Sequence, residues 1–397
     1  AIRAAFDIDF PLRILFDHPS IAPIAAQIEI ARLEHDGRAH TAVIPVARGA
    51  TAPTSFAQQR LWFLDQLEPR SAFYNMSTLV RLIGVLDVVA LRATLNEIVR
   101  RHESLRTTLA TQNGNPVQFV NSNLTLLLPV IDLTGLSNAE REEQKNRLAQ
   151  DEARMPFDLA IGPLIRVRLI RLGEAEYVVL FTLHHIVSDG WSMDVLIREV
   201  VTLYTAYIHG KSSPLPELPI QYADFSHWQR QWLSGPVLQN QLAYWQRQLA
   251  GAPALLTLPT DRPRLATASH RGASLPFVVV KEIRTGLYAL SQQHQTTLFM
   301  MLTAAFSVLL SRYSGQSDIC IGSPIANRNR SEIASLIGFF VNTLVLRSQV
   351  NANDRFVDLL QQIRTTALSA YANQDVPFEH LVEVLKPERH SNHHPLF

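Results

Sequence analysis

Tyr177-Val-Val-Leu-Phe-Thr-Leu183 followed at once by His184-His185-Ile-Val-Ser-Asp189-Gly190-Trp191-Ser192 is the stretch that decides the fold. The first half is β-prone and almost wholly apolar, the pattern of a strand covered on both faces, and so predicts a central strand rather than an edge. The second half places two imidazoles and a carboxylate in one turn. Gly190 permits a sharp change of direction, Ser192 is expected to cap a helix running to about Ile208, and Asp194 complements the dipole of its first turn. Titratable groups at a strand end are where chemistry tends to sit. A solvated surface turn is the plain alternative, and half of a metal site is another. Adjacent residues of a strand face opposite ways, so one histidine can meet a cavity while its neighbour packs inward. The single cysteine, Cys320, is remote and no HExxH or CxxC spacing accompanies the pair, so no metal is expected. Backbone N–H groups near His185 suggest donors for an oxyanion.

Outward from this turn, helical and strand-like runs alternate along the 397 residues, which is too much chain for one ordinary core. The expected class is therefore α/β, or α+β in two-layer lobes. Residues 1–34 read as a short piece with a loop at Phe10-Pro11 and a helix from Ile21 to Leu33, and 35–54, with Pro45 and Pro53, read as a linker. A first lobe over 55–220 ends at the proline-spaced Pro214-Leu-Pro-Glu-Leu-Pro219, and a second covers 221–397. Helices are expected at Leu238–Leu249, Leu298–Tyr313 and Phe356–Ala372, with a strand at Ile319–Ile321. The apolar run Leu298–Leu310 is too short to span a bilayer and reads as a buried helix. A composition of 47% apolar and 18% charged residues belongs to a globular chain, and a net charge of +1 without a basic stripe argues against a nucleic-acid partner. Neither a membrane segment nor a signal peptide is expected, and one cysteine suits a cytoplasmic location.

Several stretches together resemble one family. Ser55-Phe-Ala-Gln-Gln-Arg-Leu-Trp-Phe-Leu64, Arg101-His-Glu-Ser-Leu-Arg-Thr107, the HHIVSDGWS turn, Tyr222-Ala-Asp-Phe-Ser-His-Trp-Gln229, Ile337-Gly-Phe-Phe-Val-Asn-Thr-Leu344 and Asn373-Gln-Asp-Val-Pro-Phe-Glu379 stand in the order found in condensation domains of nonribosomal peptide synthetases. Phe10-Pro-Leu-Arg-Ile-Leu-Phe-Asp-His-Pro-Ser-Ile21 resembles the end of a peptidyl carrier protein, without the GGxS serine that bears phosphopantetheine. Arg389-His-Ser-Asn-His-His-Pro-Leu-Phe397 resembles the family's final motif, beyond which members extend, so the second lobe is expected to be incomplete and the chain a fragment.

The resemblance implies two chloramphenicol-acetyltransferase-like lobes in a V-shaped pseudo-dimer. It also implies that an acyl or peptidyl thioester on an upstream carrier domain is attacked by the amine of an amino acid on a downstream one. Phosphopantetheine arms of these flanking carriers deliver the substrates, no cofactor is bound directly, and an adenylation domain is the further expected partner. His185 is the implied catalytic residue, either as a base or as an orienter of the amine. An α-amine has a pKa of about 8 and a thioester is reactive, so the base need not be strong. Asp189 could orient His185 as in a triad. The family implies instead a structural carboxylate paired with an arginine, which maps to Arg106, with His184 as a packing residue and Gly190 keeping the amine's approach open. Trp191, Ser192 and Asn342 are candidate substrate-tunnel residues, Asn342 being equally suited to satisfying buried backbone. Trp62 and Trp228 read as core or lobe-interface anchors.

Rival members of the fold leave different marks. An epimerisation domain carries an EGHGR-type motif, a heterocyclisation domain replaces the histidines by aspartates, and a non-catalytic carrier-recruiting domain has lost the second histidine. None of these marks occurs, and the wording Ile-Val-Ser-Asp-Gly-Trp-Ser-Met resembles the subtype that takes an L-configured donor. A carrier-docking module without catalysis remains the alternative from another class.

Overall fold

The structure is a computed structural model, and it describes residues 2, 6, 14, 15, 20–33, 42–47, 49–262, 272–387 and 395–397. The Phe10-Pro11 loop and most of the Arg389–Phe397 motif lie outside the described residues. The chain divides into two compact units, one of 42–232 with 328–341, and one of 1–41, 233–327 and 342–397. The sequence-based division at 220/221 therefore gives way to one at 232/233. Residues 328–341, a strap, return to the first unit although their chain neighbours belong to the second.

In the first unit β1 (Ala52–Pro53), α2 (Phe56–Leu67), β2 (Asn75–Ile83), α3 (Val88–Arg101), β3 (Thr107–Gln112), β4 (Asn115–Val120), β5 (Val130–Asp132), α4 (Asn138–Arg154), β6 (Ile165–Gly173), β7 (Glu176–His184), α5 (Gly190–Tyr207) and α6 (Tyr222–Trp232) follow in order. β7 lies inside a four-stranded sheet of order β2-β7-β6-β5, antiparallel except for the β5–β6 pair. Its central place explains the unbroken apolar run: Val179, Phe181 and Leu183 join Leu95 and Ile98 of α3 and Val195, Leu196 and Leu203 of α5 in the main core. Val178, on the opposite face, packs with Ile170, Leu172 and Leu133. Burying one such side chain stabilises by about 1.5–3 kcal/mol, so a charge at either face of β7 would be costly. A smaller sheet of order β1-β4-β3 carries the far end of the supposed linker. Val43 is buried with Tyr222 and Phe225, and the N–H of Val46 donates to Asp224, so part of the stretch read as a linker packs on the first unit.

In the second unit α1 (Ile21–Leu33) matches the expected helix, and Ile28 packs with Ile2, Ile14, Leu15 and Ile24. Here also are α7 (Gly235–Gln248), α8 (Lys281–Gln293), α9 (Leu298–Ser314), β8 (Asp318–Ile325), β9 (Asn342–Gln349), α10 (Phe356–Ala372) and α11 (Phe378–Leu385). β8 and β9 pair antiparallel. α9 buries Met300, Met301 and Ala304 against Leu360, Ile363 and Ala367 of α10, but Phe299, Leu302, Phe306 and Leu309 are exposed, so only one face of this expected buried helix is covered. Among the described residues no single helix is long and apolar enough to cross a membrane.

Candidate active site

β7 ends at His184, a 3-10 turn covers His185–Val187, and α5 starts at Gly190. Asp189, not Ser192, is the N-cap of α5: its carboxylate accepts from the Ser192 N–H at 2.8 Å. Both residue types cap well, and the one with extended backbone takes the role. Gly190 has no positive φ, since it is already the first helical residue, so the turn itself does not require glycine. A Cβ added there meets nothing within 4 Å, and the space above it is open.

His184 and His185 divide as neighbours at a strand end should. His184 is 3% exposed, its Nδ1 accepts from the Ile186 N–H at 3.1 Å, and its ring stands edge-on to Phe157. Burial, with a smaller contribution from His185, pushes its pKa down to about 3, so it is a neutral packing group. His185 is half-buried. Its Nδ1 lies 2.8 Å from the carbonyl oxygen of Ser188. A carbonyl can only accept, so Nδ1 carries a proton, and in the neutral ring it is Nε2 that holds the lone pair. The role a carboxylate plays in a triad falls here to the backbone three residues on. Phe339 packs against the imidazole in an edge-to-face arrangement, with ring centroids 4.7 Å apart.

The turn is held from below by the motif around Ser55. Gln58, wholly buried in α2, donates to the Ile186 carbonyl at 3.3 Å, and Ser55 and Gln58 form a capping box. The N–H groups of His185, Ile186, Ser188, Ser192 and Met193 are all taken by acceptors inside the unit. This leaves the turn poorer in oxyanion donors than its sequence suggests.

Asp189 is wholly buried, and its cationic partner is Arg328 at 3.0 Å, not Arg106. Arg106 instead donates to the Asn121 carbonyl at 2.6 Å and lies 3.8 Å from Glu103. The 3-10 turn that carries Arg106 directs it to β4 and its following loop, whereas the strap delivers Arg328 straight onto the cap. Arg328 also donates to the carbonyls of Ile333 and Leu336 at 2.8 and 2.7 Å and lies over the Phe340 ring at 4.0 Å. Burial lowers its pKa, against the opposing pull of Asp189. Asp189 thus caps α5, balances Arg328 and accepts from the Phe340 N–H at 3.0 Å.

The strap is bonded to the unit almost peptide by peptide. The Ser192 hydroxyl donates to Asp189 at 2.6 Å and accepts from the Gly338 N–H at 3.0 Å, so this wholly buried group is part of the network rather than the wall of a tunnel. The Tyr222 hydroxyl, its pKa raised by burial, donates to the Phe339 carbonyl. A Cβ on Gly338 would stand 2.1 Å from the Tyr222 ring, which is why glycine is needed there. Trp191 is 46% exposed and donates from Nε1 to the Ala334 carbonyl at 2.9 Å. Trp228 packs between Phe225 and Trp232, with Arg330 of the strap over its ring at 4.3 Å. Trp62 packs beside Phe339 and Leu61 in the cluster under the turn.

Asn342 belongs to the second unit and is fully engaged there. Its Nδ2 donates to the carbonyls of Gln374 and Val376, each at 2.8 Å, and its Oδ1 accepts from the N–H groups of Phe378 and Thr343. Both donors and both lone pairs are used, so of its two expected roles the buried-backbone one is what the geometry supports.

Arg328, Phe339 and Tyr222 went unseen as site residues in the sequence. The only cue to Arg328 is chemical: a buried carboxylate demands a cation, and nothing local says which of the arginines supplies it. Among the described residues no cluster of His, Cys, Asp and Glu has metal-site form.

A family model described as Condensation domain matches residues 49–397. One of the linear gramicidin synthase subunits of Brevibacillus parabrevis is 49% identical over 396 residues, 100% of this chain but 5% of that protein, so the chain spans a small part of such relatives. The X-domain in the complex of the X-domain and OxyB from teicoplanin biosynthesis superposes with a TM-score of 0.81 at 27% identity, covering 90% of this chain and 78% of that one. A four-domain nonribosomal peptide synthetase bound to AMP and glycine gives a TM-score of 0.77 at 25% identity, over 88% of this chain and 26% of that one.

Proposed function

Because this chain belongs to the condensation-domain family, we propose that it forms amide bonds in nonribosomal peptide synthesis, passing a carrier-bound acyl or peptidyl thioester to the α-amine of an amino acid on a second carrier. The observation that carries this reading is the Nδ1–H of His185 on the Ser188 carbonyl, which leaves Nε2 as a bare acceptor. The amine nitrogen attacks the thioester carbon, a C–N bond forms, the C–S bond breaks, and the sulfur leaves as thiolate. The proton released by the amine passes to Nε2 of His185 and from there neutralises the thiolate. As a base or as an acceptor that orients the amine, such a group contributes about 10² to 10⁴-fold. The pantetheine arms belong to the carriers and so count as part of the substrates. Peptidyl carrier domains and an adenylation domain are the partners this reading requires, and an L-configured donor is the substrate it favours. A cytoplasmic setting belongs to the same reading, since the single cysteine, Cys320, allows no disulfide within this sequence.

A second reading, a module that docks partners without chemistry, is favoured by the likeness to the teicoplanin X-domain, whose structure is that of a complex with OxyB. One experiment separates them. Full-length protein is given a donor-loaded and an acceptor-loaded carrier, and the acceptor carrier is followed by mass spectrometry. Mass gain by one acyl unit is expected, whereas carrier binding without any product supports the docking module.

A further inference from the structure

His102 and Glu199 are buried, titratable and unused by the chemistry above, yet His102 reaches the strap. His102, 1% exposed, follows α3 and precedes the 3-10 turn Glu103–Arg106. Its Nδ1 lies 3.3 Å from the backbone nitrogen of Ile337. A backbone N–H can only donate, so Nδ1 is the acceptor and Nε2 carries the proton, which goes to Glu199 Oε2 at 3.0 Å. Glu199 is itself fixed by Arg101, whose guanidinium reaches both carboxylate oxygens at 3.2 and 3.3 Å and donates to the Pro216 carbonyl at 2.8 Å. Burial pushes the Glu199 carboxyl up, but the bonds from His102 and Arg101 outweigh it and hold the group below its usual range.

The other polar group of Ile337 is also held, since Ser104 Oγ donates to its carbonyl at 2.7 Å. Ile337 is thus clamped at both polar groups by side chains two residues apart, and Phe339, two residues further along the strap, is the one that meets the His185 ring at 4.7 Å. The single bond from His185 to Ser188 leaves the imidazole free to tilt about that bond, and the packing of the Phe339 ring against it restricts this freedom. Small errors of placement are costly in rate, on the order of 100-fold for about 1 Å.

We propose that His102 is a positioning residue for the reaction at His185: with Glu199 setting its tautomer, it fixes the Ile337 peptide and, through it, the Phe339 ring that orients the imidazole. The proposal rests on His185 being the working group. His102→Leu removes the acceptor for Ile337 N–H while keeping an apolar bulk, and His102→Asn places a carbonyl oxygen close to the position of Nδ1. In the full-length protein, long-range ¹H–¹⁵N spectra of His185 are recorded alongside single-turnover rates. Wild type is expected to show one His185 tautomer, protonated at Nδ1. His102→Leu is expected to shift these nitrogens toward averaged values and to lower kcat on the order of 10- to 100-fold with KM for loaded carriers nearly unchanged. His102→Asn is expected to restore both. Wild-type His185 signals and rate in His102→Leu overturn the proposal, as does equal impairment of the Asn and Leu variants. Should His102→Leu not fold, Ser104→Ala, which deletes only the bond to the Ile337 carbonyl, must move the His185 signals in the same direction or the proposal fails. The spectra need no turnover, so they stand or fall separately from the catalytic role of His185, which His185→Ala tests alone.

Discussion

Replacing Arg328 by Met is the perturbation that most sharply distinguishes the observed network from the pairing implied by family resemblance. Asp189 is wholly buried and would keep the N–H and Oγ of Ser192 and the N–H of Phe340, at 2.8, 2.6 and 3.0 Å, but lose the guanidinium that balances its charge. Breaking a buried pair from one side costs about 3–5 kcal/mol, because the remaining charge is uncompensated. For a unit of about 200 residues each kcal/mol lowers the melting temperature by about 2–4 °C, so a fall of about 6–20 °C is expected. Arg106→Met removes an exchangeable bond to the Asn121 carbonyl and costs about 0.5–1.5 kcal/mol. Asp189→Asn combined with Arg328→Met should cost about 1–3 kcal/mol less than the sum of the two single changes, since the pair disappears together. Denaturant unfolding followed by tryptophan fluorescence is a suitable assay, as the Trp191 ring lies 5.9 Å from the Arg328 guanidinium. A large loss in Arg106→Met beside a near-silent Arg328→Met would refute the assignment, and strict additivity of the double change would show that the two groups do not interact.

Three further outcomes follow from the site. His184 has its pKa lowered to about 3 by burial, so below the ordinary imidazole value near 6.5 the unfolded chain takes up a proton that the folded chain refuses. Stability is therefore complete above about pH 6.5 and falls by roughly 1 kcal/mol per pH unit as the pH drops toward 3; His184→Asn, which can still accept from Ile186, should lack this slope, and parallel stability curves would count against it. Gly190→Ala meets no atom and no forbidden φ, so the folded protein should be unchanged or more stable by up to about 1 kcal/mol. Its peptide-forming rate should nonetheless drop about tenfold or more if the amine approaches over this residue, and an unaltered rate would remove that function from the glycine. Asn342→Ala orphans backbone groups of 374–378 and should destabilise by about 2–4 kcal/mol with the rate per folded molecule intact; loss of rate without loss of stability would return Asn342 to the substrate.

What could be read from the sequence was whatever depends on near neighbours. The apolar run before His184 marked β7 as central because a strand covered on both faces has no polar period, and the helices at Ile21–Leu33 and Phe356–Ala372 declared themselves by periodicity. That the two histidines face opposite ways follows from strand geometry, whereas the choice of His185 over His184 rests on the family resemblance. The cap was misplaced because Asp189 and Ser192 are equally good capping residues, and only the extended backbone of Asp189 decides between them. α9 reads as buried because its face toward α10 and its exposed face are equally apolar. Long-range partners were invisible for a different reason. Arg328 meets Asp189 across 139 residues, and the saturation of Asn342 depends on carbonyls 32 and 34 residues away. Such pairings are set by how the strap and loops pack, and no local pattern encodes them.

The catalytic claim comes down to Nε2 of His185, left bare by the bond from Nδ1 to the Ser188 carbonyl. Its most direct test is single-turnover peptide-bond formation between loaded carriers by His185→Ala in the full-length protein, with circular dichroism as the control for folding. A fall of about 10² to 10⁴-fold with an unchanged spectrum is expected, and product formed at close to the wild-type rate by the folded variant would contradict the assignment.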